Sequence, residues 1–398
     1  FGSRPRLKTG PISGLCSAYT PRELHIYTAR AEVMRTLVAS ALASAAVLFG
    51  PSAALGLSLQ GDKKDKDVLV VVIGQLRGGE MVWESMRRRL LRAWDADLAI
   101  VTDYTDQRNL KSSLMKDVVY KWHEGEHGDW GEVLDKIPGI RQDWRDQLCQ
   151  MADGQFLGGV ANCHVGSSGI LLAYRYIVQQ RLRELRAQRG GKNPYKWVVL
   201  TRADYLYGCD LPSLHNFSKV DGQHFVADAY NVPDEQGYRG ITDRFSVLPG
   251  DLADKVLDVP RYLLSEPDFW KELGVHGRGS CHGKRICNLE GVLASYCQRA
   301  GIKYHTYRHP AFTVRQANDP GSWSQGHHLE TLDGYDLMSR YPDEFKSTMA
   351  ICSPEAVVRE LASLHKAAAA LDHARLPKGS AFRLHVGNDT FQVPVAVE

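Results

Sequence analysis

The hydrophobic positions of the chain form a regular α/β pattern from residue 68 onward. Residues 68–74, VLVVVIG, are a nearly continuous run of β-branched residues, which predicts a strand buried on both faces, as in a parallel sheet. Apolar residues at helical spacing over 80–94 predict a helix, and residues 97–103 predict a second short strand. This strand–helix–strand order favours a right-handed parallel unit.

The same patterns predict the later elements, although the polar segment 104–160 is less regular. The clearest is a long helix with a serine at its start and two glycines after its end. The predicted helices cover residues 167–189, 251–264, 289–301 and 354–373. The predicted strands cover residues 195–200, 224–227, 245–249 and 303–307, with a terminal β segment over 382–397. The elements together predict an α/β protein.

The pattern is different near the N-terminus, where Met34 and Arg35 precede the apolar residues 37–48. A basic start, an apolar core and a small-residue exit are typical of a secretory signal peptide. The run is shorter than the roughly 20 residues of a membrane-spanning helix. A signal anchor over 37–59 remains open as the alternative and would attach the protein to a membrane. We expect residues 1–33 to be a leader that lies upstream of the true start at Met34.

A secretory route predicts a location in the ER or Golgi lumen, or outside the cell. Asn216 and Asn388 lie in sequons and would then carry glycans if exposed. Beyond Cys16 the chain has seven cysteines, of which several should form disulfides in an oxidising compartment. The odd number leaves at least one without an intramolecular partner. We expect a disulfide between Cys281 and Cys287, with a zinc site in this patch as the less favoured alternative.

The composition excludes some classes of protein. The chain is 43% hydrophobic and 24% charged with a net charge of +3, which is ordinary for a globular protein and gives no case for a polyanion binder. Basic runs at 87–89 and 181–192 lie on predicted amphipathic helices, where a solvated basic face is the favoured interpretation. No nucleic-acid module signature accompanies them, so we predict no nucleic-acid partner.

The first candidate site residues are Gly74, Gln75 and Arg77, at the end of the first predicted strand. Open α/β sheets bind ligands beyond the carboxyl ends of their strands. Glycine permits close approach of the backbone, and arginine offers a bidentate fork to a phosphate. An ordinary turn with a surface arginine is the alternative. The segment has neither a dinucleotide fingerprint nor a phosphate-loop motif, and no serine-hydrolase elbow occurs in the chain.

Further polar residues follow the predicted strand over 195–200 and precede the one over 245–249. Arg202 and Asp204 could form a strand-end ion pair, or Asp204 could hold a divalent cation that bridges two phosphates. Asp243 could be a general base on an acceptor hydroxyl, or only a turn residue. Glu290 is a second candidate catalytic residue; it opens a predicted helix, where the helix dipole alone would also favour a carboxylate.

The order of these motifs resembles a family of GT-A-fold glycosyltransferases, similar to the WavE-like lipopolysaccharide-synthesis enzymes and related plant, algal and viral proteins. The resemblance rests on GQLR, on TRADYLYGCDLP, on ITDRFSVL and on LEGVLASYCQRAGI, in this order between residues 68 and 316. It implies a GT-A-like (Rossmann-like) mixed sheet flanked by helices, in a single main domain. Residues 104–160 and 317–398 are not covered by it.

The resemblance also implies roles for the candidate residues. Gln75 and Arg77 would face the nucleotide of a nucleotide-sugar donor, Asp204 would hold Mn²⁺ or Mg²⁺ and the diphosphate, and Asp243 would lie on the side of the glycan acceptor. The segment TRAD has only one carboxylate, where two would make a firmer metal site.

We therefore predict a glycosyltransferase of the secretory pathway. A catalytically inactive glycan-binding or scaffold protein of the same fold is the alternative, and the missing glycine signature disfavours a methyltransferase. The predicted segments are a leader (1–33), a signal peptide or anchor (34–59), a charged linker (60–67), a glycosyltransferase-like domain (68–350) and a C-terminal helix and β extension (351–398).

Overall fold

The computed structural model describes residues 66–151, 157–161, 163, 167–214, 224–234, 241–276, 289–316, 331–332, 337–372, 381–386 and 389–394. The predicted leader, the signal or anchor segment and most of the charged linker lie outside these ranges. The expected Cys281–Cys287 pair and the two sequon asparagines, Asn216 and Asn388, also lie outside them. In the part of the chain that is described, no helix has the length and apolar character needed to cross a bilayer.

The strands are numbered along the chain. They are β1 (Val68–Ile73), β2 (Ala96–Thr102), β3 (Val118–His123), β4 (Trp197–Thr201), β5 (Tyr205–Tyr207), β6 (Tyr230–Pro233), β7 (Ser246–Pro249), β8 (Tyr304–Tyr307), β9 (Ala311–Gln316), β10 (Thr331–Leu332), β11 (Leu337–Ser339), β12 (Ala381–Val386) and β13 (Asp389–Pro394).

The helices carry their own numbers. They are α1 (Glu80–Met86), α2 (Gln107–Leu110), α3 (Gly131–Leu134), α4 (Trp144–Met151), α5 (Ser168–Gln188), α6 (Gly250–Val256), α7 (Val259–Ser265), α8 (Pro267–His276), α9 (Leu289–Arg299), α10 (Pro342–Cys352) and α11 (Pro354–Asp372). A π-helix at Arg87–Arg92 continues α1, and a 3₁₀ helix lies at Ser113–Lys116.

The largest sheet among the described residues has seven strands in the order β3-β2-β1-β4-β7-β6-β8. The strands β3, β2, β1 and β4 pair in parallel, and β7 is antiparallel to both β4 and β6. The expected parallel pairing of the first two strands is confirmed. The predicted α/β class, a mixed sheet flanked by helices, is also confirmed, because the sheet has both parallel and antiparallel pairs and helices lie along the chain between its strands.

The first strand shows why the sheet has helices on both faces. All six residues of β1 are buried. Leu69, Val71 and Ile73 belong to one hydrophobic cluster, which includes residues of α5 and α7. The alternate residues Val68, Val70 and Val72 belong to a second cluster, which includes residues of α1. Because successive side chains of a strand point to opposite faces, a continuous apolar run packs against two layers at once.

Two element predictions were wrong in detail. Residues 224–227 are not a strand, because the side-chain amide of Asn231 bonds both the N–H and the C=O of Val226 and holds this segment in a turn. The strand is the following Tyr230–Pro233. The helix expected over 251–264 is divided into α6 and α7, and Pro260 lies in the first turn of the second.

The basic run at 87–89 does not form a solvated face. Arg87 pairs with Glu84 and Asp117 and is largely buried, and Arg89 pairs with Glu360 of α11. The interpretation from periodicity alone was therefore wrong for this run. A helical pattern shows which residues share a face, whereas α11, more than 200 residues later, packs on α1 in three dimensions and supplies the acidic partner.

A second sheet, of four strands in the described residues, has the order β10-β11-β9-β5. Its strand β5 follows β4 after the short turn at Arg202-Ala203-Asp204. Disulfides join Cys209 to Cys352 and Cys149 to Cys163, and Cys297 is buried and unpaired. The expectation that several cysteines pair and at least one does not is confirmed for the described residues.

Candidate functional site

The carboxyl ends of the parallel strands meet at one edge of the large sheet. Val72 of β1 is in register with Ile100 of β2 on one side and with Thr201 of β4 on the other. Because β7 is antiparallel, with Ser246 opposite Leu200, its beginning lies at the same edge. The loops that precede β7 and follow β1, β2 and β4 therefore share the edge at which open α/β sheets bind their ligands.

The loop after β1 contacts the turn after β4 directly. Gly74 has a φ of +82°, and its N–H donates to the carbonyl of Val101 at 3.0 Å. Gly78 has a φ of +101°, and a Cβ at this position would lie 3.2 Å from the carbonyl oxygen of Ala203. Both conformations favour glycine, so the glycines of this loop permit its close approach to the Arg202–Asp204 turn.

The side chains of Gln75 and Arg77 bond to each other. The Arg77 guanidinium donates two hydrogen bonds to Oε1 of Gln75, at 3.0 and 2.5 Å, and Gln75 Nε2 donates to Oε1 of Glu126 at 3.1 Å. Burial raises the pKa of Tyr174 in α5, and the charges of Glu126 and other carboxylates raise it further. Gln75 and Arg77 therefore lie beside an acidic region beyond β1–β3.

Asp204 lies between two guanidinium groups. Arg202 donates from Nε to Oδ1 of Asp204 at 3.0 Å and from Nη2 to Oδ2 at 2.5 Å, and Arg340 Nη1 lies 4.0 Å from the same Oδ2. The Asp204 side chain is only 4% exposed. Burial by itself lowers the pKa of Arg202, but the charges of Asp204 and Tyr341 and the hydrogen bonds to Asp204 together outweigh burial and raise that pKa above its ordinary value.

The segment before β7 contributes a third guanidinium. Arg244 is buried, with Nη1 2.9 Å from Oε1 of Glu344 and Nε 4.0 Å from Oδ1 of Asp243. Its guanidinium carbon lies 4.2 Å from the ring centroid of Tyr341. The backbone carbonyl of Asp243 accepts a hydrogen bond from the buried Arg175 at 3.3 Å. We call the resulting group the arginine cluster; it contains Arg202, Arg244, Arg340, Asp204, Asp243 and Glu344.

The predicted site residues thus fall into three places. Gly74, Gln75 and Arg77 line the loop after β1, whereas Arg202, Asp204 and Asp243 belong to the arginine cluster. Glu290 is the second residue of α9, and its backbone carbonyl accepts the N–H of Ile241 at 3.3 Å. That bond attaches the start of α9 to the segment that leads into Asp243, but no described contact joins the Glu290 side chain to Asp204.

Sequence reasoning missed Arg340, Tyr341 and Glu344. They follow β11 and begin α10, in the part of the chain that the family resemblance does not cover. A basic and an aromatic residue directly after a short strand were the available signal. That signal was weak because the partner residues lie about a hundred positions or more earlier in the chain.

The donor atoms at Asp204 do not fit a divalent cation as they are arranged. Mn²⁺ and Mg²⁺ prefer several oxygen ligands, among them carboxylates that are free to coordinate. Both oxygens of Asp204 already accept from Arg202. In addition, the described residues contain no group of three or more His, Cys, Asp or Glu side chains that could hold a metal ion.

His309 lies near Arg244 of the arginine cluster, in a buried aromatic environment. Its ring lies 4.4 Å from that of Phe245 and 5.4 Å from that of Tyr205, measured between centroids, and its Nδ1 is 3.2 Å from the Tyr307 hydroxyl. Burial, with a smaller contribution from the charge of Arg244, lowers the pKa of His309 to about 3. The imidazole is therefore neutral in the folded protein at physiological pH.

This neutral imidazole should make stability pH-dependent. In the unfolded chain His309 takes up a proton near its ordinary pKa of 6.5, whereas in the folded protein it does so only near 3. The contribution of His309 to the free energy of unfolding is thus complete above pH 6.5 and is lost as the pH falls. At pH 5 the free energy of unfolding should be lower by about 2 kcal/mol. Urea unfolding at pH 7 and pH 5 would measure this loss, which His309→Phe should reduce by the same amount. An unchanged pH dependence in both His309→Phe and His309→Asn would contradict the expectation.

Comparisons with known proteins find similarity among solved structures. No protein-family model and no curated protein sequence matches the chain. Among solved structures, the chain is similar to mouse xyloside xylosyltransferase 1 in its apo form, with 13% identity, a TM-score of 0.32, and coverage of 61% of this chain and 84% of that one. It is also similar to the PaToxG glycosyltransferase, with 12% identity, a TM-score of 0.26, and coverage of 59% and 69%. At TM-scores this low, the similarity carries no weight for function.

Proposed function

We propose that the protein is a glycosyltransferase that moves a sugar from a nucleotide-sugar donor to a glycan or glycoconjugate acceptor. The observation that carries this proposal is the arginine cluster at the carboxyl edge of a mixed α/β sheet, beside a glycine-containing loop. Edges of this kind bind nucleotides. A nucleoside-diphosphate leaving group is anionic and planar guanidinium groups match its phosphates, so the cluster and the ligand are complementary.

The chemistry would rest on positioning and on stabilising charge. As the bond between the anomeric carbon and the diphosphate breaks, negative charge develops on the departing oxygen. Arg202, Arg244 and Arg340 could stabilise that charge, and the Gly74 loop would allow the backbone to approach the donor. Asp243 is the candidate base for the acceptor hydroxyl, because its carboxylate is 11% exposed and lies at the same edge.

The setting of this activity is proposed from the sequence. A signal peptide or signal anchor before residue 60 would deliver the domain to the ER or Golgi lumen, or outside the cell, and an anchor would hold it at the membrane. The disulfides that join Cys209 to Cys352 and Cys149 to Cys163 are compatible with an oxidising compartment.

A catalytically inactive glycan-binding or scaffold protein is the second candidate. One observation favours it: Asp204 and Asp243, two of the three candidate carboxylates, are both near arginines, and Asp204 is almost fully buried. A carboxylate that is buried and already bonded to an arginine is less accessible to a substrate than a free one.

A hydrolysis and transfer screen of UDP, GDP and CMP sugars separates the two candidates. It should be run on the purified protein with EDTA and, in parallel, with Mn²⁺. We expect slow hydrolysis of at least one donor in the absence of acceptor, because water can replace the acceptor hydroxyl. Calorimetric titration with the same donors completes the test. Absence of both turnover and binding for all donors would contradict the proposal and favour the inactive candidate.

A further inference from the structure

Three guanidinium groups converge from parts of the chain that are far apart in sequence. Arg202 follows β4, Arg244 precedes β7 and Arg340 follows β11. The backbone N–H of Arg340 donates to the carbonyl of Thr313 in β9 at 2.8 Å, which attaches this loop to the second sheet. The cluster is therefore assembled by both sheets, and no single sequence motif encodes it.

The positive charge of the cluster is incompletely balanced at Arg340. Arg202 and Arg340 share one carboxylate, Asp204, and Arg202 makes both of the short bonds to it. Within the described residues, the one ion pair of Arg340 is the 4.0 Å contact to Asp204, although its side chain is only 18% exposed. A largely buried cation without a close counter-charge is costly.

The electrostatic surroundings of Arg340 agree with this geometry. Burial lowers the pKa of Arg340, and so do the charges of Arg202 and Arg244. Tyr341 and Asp204 act in the opposite direction but do not restore the pKa of Arg340 to its ordinary value. An additional anion at this point would therefore stabilise the group.

The aromatic ring of Tyr341 contacts two of the three guanidinium groups. The guanidinium carbon of Arg244 lies 4.2 Å from its ring centroid and that of Arg340 lies 5.5 Å from it. A cation–π contact holds a guanidinium in place through the face of its plane and leaves the N–H groups at its edge available to an acceptor.

We propose that the arginine cluster binds a diphosphate directly, with Arg340 as a principal ligand and with no divalent cation between protein and phosphate. That the diphosphate belongs to a nucleotide sugar rests on the proposed function; the anion site itself does not. A diphosphate fits better than a single carboxylate, because three neighbouring guanidinium groups can donate hydrogen bonds to several phosphate oxygens together. The poor fit of Asp204 to a metal ion points in the same direction.

The test uses inorganic pyrophosphate as the probe, titrated calorimetrically into the full chain in EDTA. We expect binding that weakens with salt, and a loss of at least about tenfold in affinity for Arg340→Met, since hydrogen bonds to charged groups carry this much. The matched control is Arg183→Met, which removes an arginine of α5 that pairs with Asp254 outside the cluster. Its affinity for pyrophosphate should equal that of the wild type.

A second variant distinguishes loss of the phosphate ligand from misfolding of the Arg340→Met protein. Arg340→Lys retains the charge but removes the fork, and its affinity should lie between those of the wild type and Arg340→Met. Pyrophosphate binding that appears only with Mn²⁺ or Mg²⁺ would overturn the proposal, as would equal binding by wild type and both Arg340 variants.

The outcome is distinguishable from that of the donor screen. Pyrophosphate binding in EDTA without turnover or binding of any nucleotide sugar would retain the anion site and contradict the proposed transferase. Conversely, turnover that strictly needs Mn²⁺, with no pyrophosphate binding in EDTA, would support the transferase and overturn direct binding by the arginine cluster.

Discussion

Replacing Asp204 with alanine is expected to lower the free energy of unfolding by about 3 kcal/mol, because it leaves two largely buried guanidinium groups without their shared carboxylate. The same change should reduce sugar transfer by at least about a hundredfold, since Asp204 holds Arg202 and Arg340 in position at the proposed diphosphate site. Urea unfolding and donor turnover, measured on the same preparation, test both expectations.

Two further variants separate the roles that Asp204 could have. Asp204→Asn keeps the shape and removes the charge, and it should retain pyrophosphate binding in EDTA because it removes a competitor of the ligand for Arg202. If Asp204 were instead a metal ligand, the same variant would lose a binding that depends on Mn²⁺. Asp143→Ala is the stability control, because Asp143 forms an exposed surface pair with Arg141 and its loss should leave the free energy of unfolding nearly unchanged. Wild-type stability and activity in Asp204→Ala would contradict the proposed arrangement.

Replacing Gly250 with alanine is expected to lower the free energy of unfolding by about 3 kcal/mol. A Cβ at this position would lie 2.1 Å from the carbonyl oxygen of Tyr195, and both groups are held by backbone. The N–H of Gly250 also donates to the carbonyl of Lys196 at 2.7 Å, where β7 ends beside β4. Relief of the clash therefore requires β4 and β7 to separate, and this pair of strands leads to Arg202 and Arg244.

Gly128→Ala is the matched control for this change. Gly128 is exposed, no heavy atom lies within 4 Å of a Cβ built on it, and its φ is not in the left-handed region. Its substitution should change stability by less than about 0.5 kcal/mol. Chemical unfolding of both variants gives the comparison, and pyrophosphate affinity reports whether the strand pair has moved. Equal effects at the two glycines would show that the contact with Tyr195 is not the cause.

Much of the fold was predictable from local patterns. The β-branched run of β1 predicts burial on both faces by its composition alone. The serine at the start of α5 and the two glycines after it predicted the limits of that helix to within a residue. The candidate residues Gly74, Arg202 and Asp204 were found because they follow buried strands, and parallel strands bring their carboxyl ends to one edge. Signals of this kind act over a few residues, so a sequence contains them directly.

Other features depend on partners that are distant in the chain. The sequence of β7 does not encode whether it pairs parallel or antiparallel to its neighbours. In both kinds of strand the side chains alternate between the two faces of the sheet, so the hydrophobic pattern is the same. Periodicity suggested a strand over residues 224–227, yet the amide of Asn231 determined a turn. The pairing of Cys209 with Cys352 likewise required the second sheet and α10 to be assembled.

The candidate site has features of both kinds: some are encoded by short segments of sequence, and others depend on residues that are distant in the chain. The sequence by itself determined that Arg202 and Asp204 end a buried strand and that Asp243 precedes another. Only the tertiary structure decided that Arg340 joins them and that Tyr341 stacks against Arg244, so that the lone carboxylate is shared between two arginines. The physical reason is that electrostatic contacts depend on distance in space, and the packing of the two sheets sets that distance.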